Sequence, residues 1–177
     1  MKVRDLTEMA IIIALTAVLE IFFSNIEIPL FPNGGSISIS TLPIMVLALR
    51  KGIKVGIFVG LIYGIFQFIL PVNVYYLTPV QYLFDYVMPF VAIGFTGIFK
   101  EINVRSIFLG VVLAGTLKYL SHVIAGIAFW GEYAPEGFNA VTWSLYYNAT
   151  YVVPSTILCV LLLVGIYKRI PELLKKA

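Results

Sequence analysis

Six apolar runs, with lysine and arginine gathered at every second junction between them, constrain this chain more than any other feature. The runs cover residues 6–24, 39–49, 55–70, 79–99, 106–130 and 142–167. Most approach the ~20 apolar residues that a helix needs to cross a bilayer. With 60% apolar residues, 12% charged residues and a mean hydropathy of +0.98, the chain is far from the make-up of a water-soluble domain. The pattern predicts an all-α integral membrane protein: a six-transmembrane-helix bundle forming a single membrane domain over residues 1–177, with an extended outer loop after the first helix. The second run is short. At ~1.5 Å per residue it covers only about half the hydrocarbon, unless the "SISIS" strip before it supplies the rest in extended form.

The basic residues fix an orientation. Lys2 and Arg4 precede the first run, Arg50, Lys51 and Lys54 lie between the second and third, Lys100 and Arg105 between the fourth and fifth, and Lys168, Arg169, Lys175 and Lys176 follow the sixth. All of these fall on one side of a six-span chain, and the opposite loops, 25–38, 71–78 and 131–141, hold no Lys or Arg. By the positive-inside rule both termini are expected in the cytoplasm of a multi-pass cell-membrane protein. This scatter accounts for the net charge of +3 and leaves no basic stripe for nucleic acid. No small-residue cleavage site follows the first run, so it is expected to remain in the mature protein. The tail "RIPELLKKA" reads either as a short interfacial helix on anionic lipid or as a frayed end.

Polar groups inside a membrane are costly and mark function. Glu20, Gln67, Asp85, His122 and Asn148 all fall in the outer halves of their runs, and Lys118 lies one helical turn deeper than His122 on the same face. Aromatics crowd the same level: Tyr63, Tyr75, Tyr76, Tyr82, Tyr86, Trp130, Tyr133, Trp143, Tyr146, Tyr147 and Tyr151. An aromatic belt explains any one of these rings but not the carboxylate. Asp85 with Tyr86, His122, Trp130 and Asn148 points to a pocket for a small polar, aromatic or cationic ligand, because ring faces stack on flat rings and attract cations. Blander readings stand beside it. Asp85 is also a candidate ion-pair partner for Lys118, His122 for a backbone carbonyl, and the Asn148 sequon "NAT" is better read as a hydrogen-bonding amide within the bundle.

Other chemistries are excluded. There is no phosphate-binding G-x-x-x-x-G-K-[ST] loop, and one cysteine with one histidine makes no metal site, so no cofactor is called for. Cys159 sits in an apolar run and reads as packing. A Ser-His protease would need a serine facing His122, and Ser121 points elsewhere on the helix. Ala10 and Ala14 form a small-xxx-small pair on the first helix, with Ala17 on an adjoining face, suited to close approach of another helix.

"NGGSISISTLPIMVLALRKGIKVGIFVGLIYGI", "QYLFDY", "LKYLSHVIAGIAFWGEYAPEG" and "SLYYN" together resemble the thiamine-specific S components of energy-coupling factor transporters, over nearly the whole chain. The most specific parts are the glycine-serine strip, the K-x-x-x-H-x-x-x-x-x-x-x-W arrangement of Lys118, His122 and Trp130, and Asn148 eighteen residues beyond. The resemblance implies a non-enzymatic six-helix subunit that captures thiamine near the outer surface. Its implied partners are a transmembrane coupling protein and two cytoplasmic ATPases, with Ala10-x-x-x-Ala14 as the docking face. The family's acid before tyrosine is a glutamate, here Asp85, one methylene shorter. Trp143 stands for a family tyrosine and Tyr63 for a tryptophan.

Joined to the physics, Asp85 answers the ligand's positive or N–H side, Trp130 with Tyr86, Trp143 and Tyr146 or Tyr147 stacks on its rings, and His122 with Asn148 fixes its orientation. Lys118, Tyr63 and Tyr75 support from around the pocket, Lys118 by holding Asp85 or a carbonyl from below. Gly34, Gly35, Ser36 and Ser38 form a lid whose glycines permit unusual backbone angles. The alternatives are an S component for another vitamin such as riboflavin, or a small intramembrane enzyme.

Overall fold

The computed structural model describes residues 2–24, 35–71 and 78–176. Among them helix is the only regular secondary structure, with no strand. Helix α1 (Val3–Ser24) is followed by α2 (Leu42–Lys51) and α3 (Ile53–Phe66), which ends in a 3₁₀ turn, Gln67–Ile69. The fourth rod is composite: α4 (Pro79–Tyr82), a π-turn (Leu83–Val87), α5 (Met88–Ile93) and a 3₁₀ turn (Gly94–Gly97). Two long helices complete the bundle, α6 (Val104–Phe129) and α7 (Ala140–Arg169). Each opens on an asparagine capping box, Asn103 with Ser106 and Asn139 with Thr142, which satisfies first-turn N–H groups and fixes where the helix starts. Helices α6 and α7, with residues Val3–Phe23 of α1, are long and apolar enough to cross a bilayer. The protein is a membrane protein, and its six rods match the six apolar runs.

The shortness of α2 has a packing reason. Ile44, Leu47 and Ala48 are fully buried, and α2 lies among α1, α3, α7 and the 3₁₀ turn after α5. A helix sheathed by protein has no lipid thickness to match. At the basic end, Arg50 pairs with Glu8, and Lys51 Nζ lies 2.7 Å from Asp5 and 3.1 Å from Glu8, tying the start of α1 to the α2–α3 junction. The hydrogen bonds to Asp5 and then Glu8 hold the Lys51 ammonium above the ordinary lysine range.

Among the described residues, helix α1 packs by one side only. Met9, Thr16 and Ala17 are buried, whereas Leu6, Ala10, Ile11, Ala14, Leu15, Val18 and Phe22 face outward. The tail departs from both expectations for it. Residues Pro171–Leu174 form a 3₁₀ turn that folds back towards α2, and Leu174, 1% exposed, joins the core. An apolar side chain within reach of the bundle gains more from burial than from fraying or from lying on lipid.

The fourth rod lies against α3 at backbone distance: a Cβ on Gly60 would fall 2.1 Å from the Phe90 carbonyl oxygen. Gly60→Ala should therefore lower stability by about 1–3 kcal/mol through overpacking. Gly165→Ala, where a Cβ meets nothing within 4 Å, should leave it unchanged. Thermal unfolding in detergent checks both.

Candidate functional site

At the end of the bundle away from the basic residues, four rods bring polar groups to one level. The π-turn carries Asp85. Trp130, at the C-terminal end of α6, donates its indole Nε1–H to Asp85 Oδ2 at 2.9 Å, and His122 Nδ1 lies 3.5 Å from Asp85 Oδ1. The Asp85 and His122 side chains are each 15% exposed. A carboxylate this enclosed needs donors aimed at it, and the indole N–H is the closer of the two.

Helix α7 supplies the facing wall. Asn148 donates through Nδ2 to the Ser144 carbonyl at 2.8 Å and Oγ at 3.1 Å, and its Oδ1 accepts from the Tyr151 hydroxyl. Ser144 in turn donates to the Val123 carbonyl of α6 at 3.0 Å. Tyr151 then meets His122 edge-on, ring centroids 5.9 Å apart, and Tyr147 at 5.7 Å. Trp143 lies one turn above Tyr147, 5.6 Å between centroids. On the other side, Tyr86 stacks on Tyr82 at 5.1 Å, and the Tyr82 hydroxyl donates to the Gly64 carbonyl at 2.8 Å.

Residues 35–39 form neither helix nor strand and run along α7. The Gly35 N–H donates to the Tyr147 hydroxyl at 2.9 Å and the Ser38 N–H to Ser155 Oγ at 3.0 Å. Three extended residues advance about 10 Å and eight helical residues about 12 Å, so one strip spans both contacts. Gly35 lies against the rings of α7. Its constraint is space: a Cβ there would sit 2.6 Å from the Tyr151 ring. Ser36 and Ser38 are part-buried beside it, while Gly34 and Tyr75 lie outside the described residues.

The structure thus gathers Asp85, His122, Trp130, Asn148, Tyr147 and Gly35 in one connected cluster, with Tyr86 and Trp143 at its edges. It does not bring in Tyr146, which is 58% exposed and packs outward near Phe138. Tyr63 is fully buried one layer down, edge-on to Phe90 at 4.6 Å. Lys118 does not hold Asp85. Its Nζ lies 5.7 Å from the Phe90 ring centre, at a cavity of about 10 Å³ lined also by Thr41, Met45 and Cys159. The cause is helix direction: α6 rises from the basic end, and its side chains lean towards its N-terminus, so Lys118 reaches away from the carboxylate. Ser144 belongs to the cluster without having been singled out, and Tyr151, named above only among the aromatics at this level, stands at its centre. Their signal was the stripe Ser144, Asn148, Tyr151, Ser155, Cys159, which recurs at helical spacing along one face of α7.

A family profile described as thiamine transporter protein (Thia_YuaJ) matches residues 6–175. The chain belongs to the thiamine transporter family. It is 38% identical over 183 residues to the thiamine transporter ThiT of Bacillus subtilis (strain 168), covering 96% of this chain and 93% of that one. It is 30% identical over 146 residues to the ThiT of Lacticaseibacillus paracasei, covering 75% and 73%. A solved structure, ThiT from Listeria monocytogenes, superposes with a TM-score of 0.85 at 27% identity, covering 97% of both chains. Family members are named as transporters, not enzymes, so the intramembrane-enzyme reading falls away.

The strip's anchorage yields a prediction. Tyr147→Phe removes the acceptor for the Gly35 N–H and should speed hydrogen exchange in residues 35–40 about fivefold, for a net hydrogen bond of ~1 kcal/mol. Exchange in α2 should not change.

Proposed function

We propose that this chain is the thiamine-capturing S component of an energy-coupling factor transporter, a single membrane domain with both termini in the cytoplasm. The observation that carries the reading is the enclosed Asp85 carboxylate, met by an indole N–H and an imidazole and ringed by tyrosines. A carboxylate among ring faces suits a flat cation, and thiamine has a permanently charged thiazolium joined to an aminopyrimidine. The family supports the same ligand.

Each group has a role in this reading. Asp85 offsets the ligand's charge. Trp130, Tyr86, Trp143 and Tyr147 present ring faces, and His122 sets orientation by hydrogen bonding. The Asn148 oxygen, with one lone pair engaged by Tyr151, has a second for the pyrimidine amino group. The strip from Gly35 to Ser40, with Gly34, is the lid: it closes by seating on Tyr147 and Ser155 and excludes water, which strengthens cation–ring attraction.

The chain has no nucleotide-hydrolysing loop, so uptake draws on partners: a transmembrane coupling protein and two cytoplasmic ATPases. Support for a docking face comes from α1, where Ala10 and Ala14 lie outward among exposed apolar side chains and, among the described residues, the helix is packed only on its other side.

Titrating detergent-purified protein with thiamine, followed by tryptophan fluorescence, tests the ligand. Saturable quenching at sub-micromolar thiamine is the expected result, and no response at millimolar thiamine overturns the reading. Asp85→Asn should weaken binding by about 1–3 kcal/mol, the range for a hydrogen bond to a charged group. Ala14→Trp should abolish uptake by the assembled transporter while leaving thiamine binding intact; loss of both would remove α1 as a docking face.

A further inference from the structure

The π-turn that carries Asp85 has an origin in sequence. In an α-helical register the ring of Pro89 would clash with the carbonyl four residues back, which is that of Asp85. Widening the turn relieves the clash: Met88 donates its N–H to the Leu83 carbonyl, five residues back. In that register the Phe84 carbonyl would take its proton from residue 89, and proline has none. An apolar bundle offers no water for a carbonyl left this way, so the widened turn needs a donor from elsewhere. Ser121 of α6 provides it. Its hydroxyl, on a residue 8% exposed, donates to the Phe84 carbonyl at 2.6 Å.

The pairing is in register. Adjacent residues of α6, Ser121 and His122, meet adjacent residues of the π-turn, Phe84 and Asp85. One residue of helical phase is about 100° of rotation, so a turn that returned to α-helical register would swing Asp85 away from Trp130 and His122. We propose that Ser121 is a positioning residue for the ligand-binding carboxylate: by satisfying the Phe84 carbonyl it holds the Leu83–Val87 π-turn open and aims Asp85 at Trp130. The inference rests on the thiamine reading for its functional consequence but not for its geometry. It also explains why Ser121 is no nucleophile beside His122, since its proton is committed to a backbone carbonyl.

The sequence has two tryptophans, so a spectrum of the nitrogen-15-labelled chain in detergent shows two indole N–H signals, and Trp130→Phe assigns them. Ser121→Ala should displace the Trp130 signal in the ligand-free protein, leave that of Trp143 in place, and weaken thiamine about tenfold. Ser121→Thr, which keeps the hydroxyl, should restore both. In an Asp85→Asn background, Ser121→Ala should cost no further affinity. The double variant Ser121→Ala with Pro89→Ala covers a failure of the single one to fold. It removes the ring that clashes with the Asp85 carbonyl, so the segment can return to α-helical register and should fold well, with Asp85 in the wrong phase and the Trp130 signal still displaced. An unmoved Trp130 signal in either variant overturns the proposal, as does full recovery of the wild-type signal in the double variant. If wild-type protein fails to bind thiamine, the functional reading falls while the indole signal still decides the role of Ser121.

Discussion

A carboxylate inside an apolar bundle must be met by donors, and the site is arranged around that requirement. The Asp85 side chain is 15% exposed on a rod of the apolar bundle, where isolated ionised groups are strongly disfavoured. Trp130 and His122 both come from α6, and they meet it only because the fourth rod widens at Leu83–Val87. That widening follows from Pro89 and is sustained by Ser121. One charged group thus ties a local backbone irregularity to the packing of two rods, and Gly60 lets the same rod lie directly on α3.

The two ends of the molecule are built differently. The basic end is fastened by ion pairs between α1 and the α2–α3 junction. The opposite end is held by uncharged hydrogen bonds and rings: Asn148 between Ser144 and Tyr151, and the strip on Tyr147 and Ser155. A cluster with one carboxylate and many neutral donors fits a cationic ring ligand better than an anionic one. Among the described residues α1 is packed by one face and apolar on the other, which is what supports the proposed docking face.

Much of this was legible in the sequence because its signals are one-dimensional. Apolar run length and the alternation of basic junctions gave the six rods. The depth of Asp85, His122, Trp130 and Asn148 along their runs placed them together. What failed needed direction or register. Lys118 sits at the right depth and face, but its side chain leans down the helix to Phe90. Tyr146 and Tyr147 are indistinguishable by depth, and only the α7 phase sends one outward and the other to Gly35. The close packing of Gly35 on Tyr151 left no mark in the sequence. The π-turn left no periodic trace at all, although Pro89, four residues after Asp85, was a visible hint. Leu174 is buried by a tail whose composition suggested an interface or disorder.

The central claim is that the site selects its ligand by positive charge as well as by shape. Its most direct test is calorimetry on the wild-type protein with two ligands of matching outline, thiamine and an analogue whose thiazolium is replaced by an uncharged ring. The account predicts that the cation binds more tightly by about tenfold or more, which is ~1.4 kcal/mol. Equal affinities would contradict it, because the buried carboxylate would then contribute nothing to recognition.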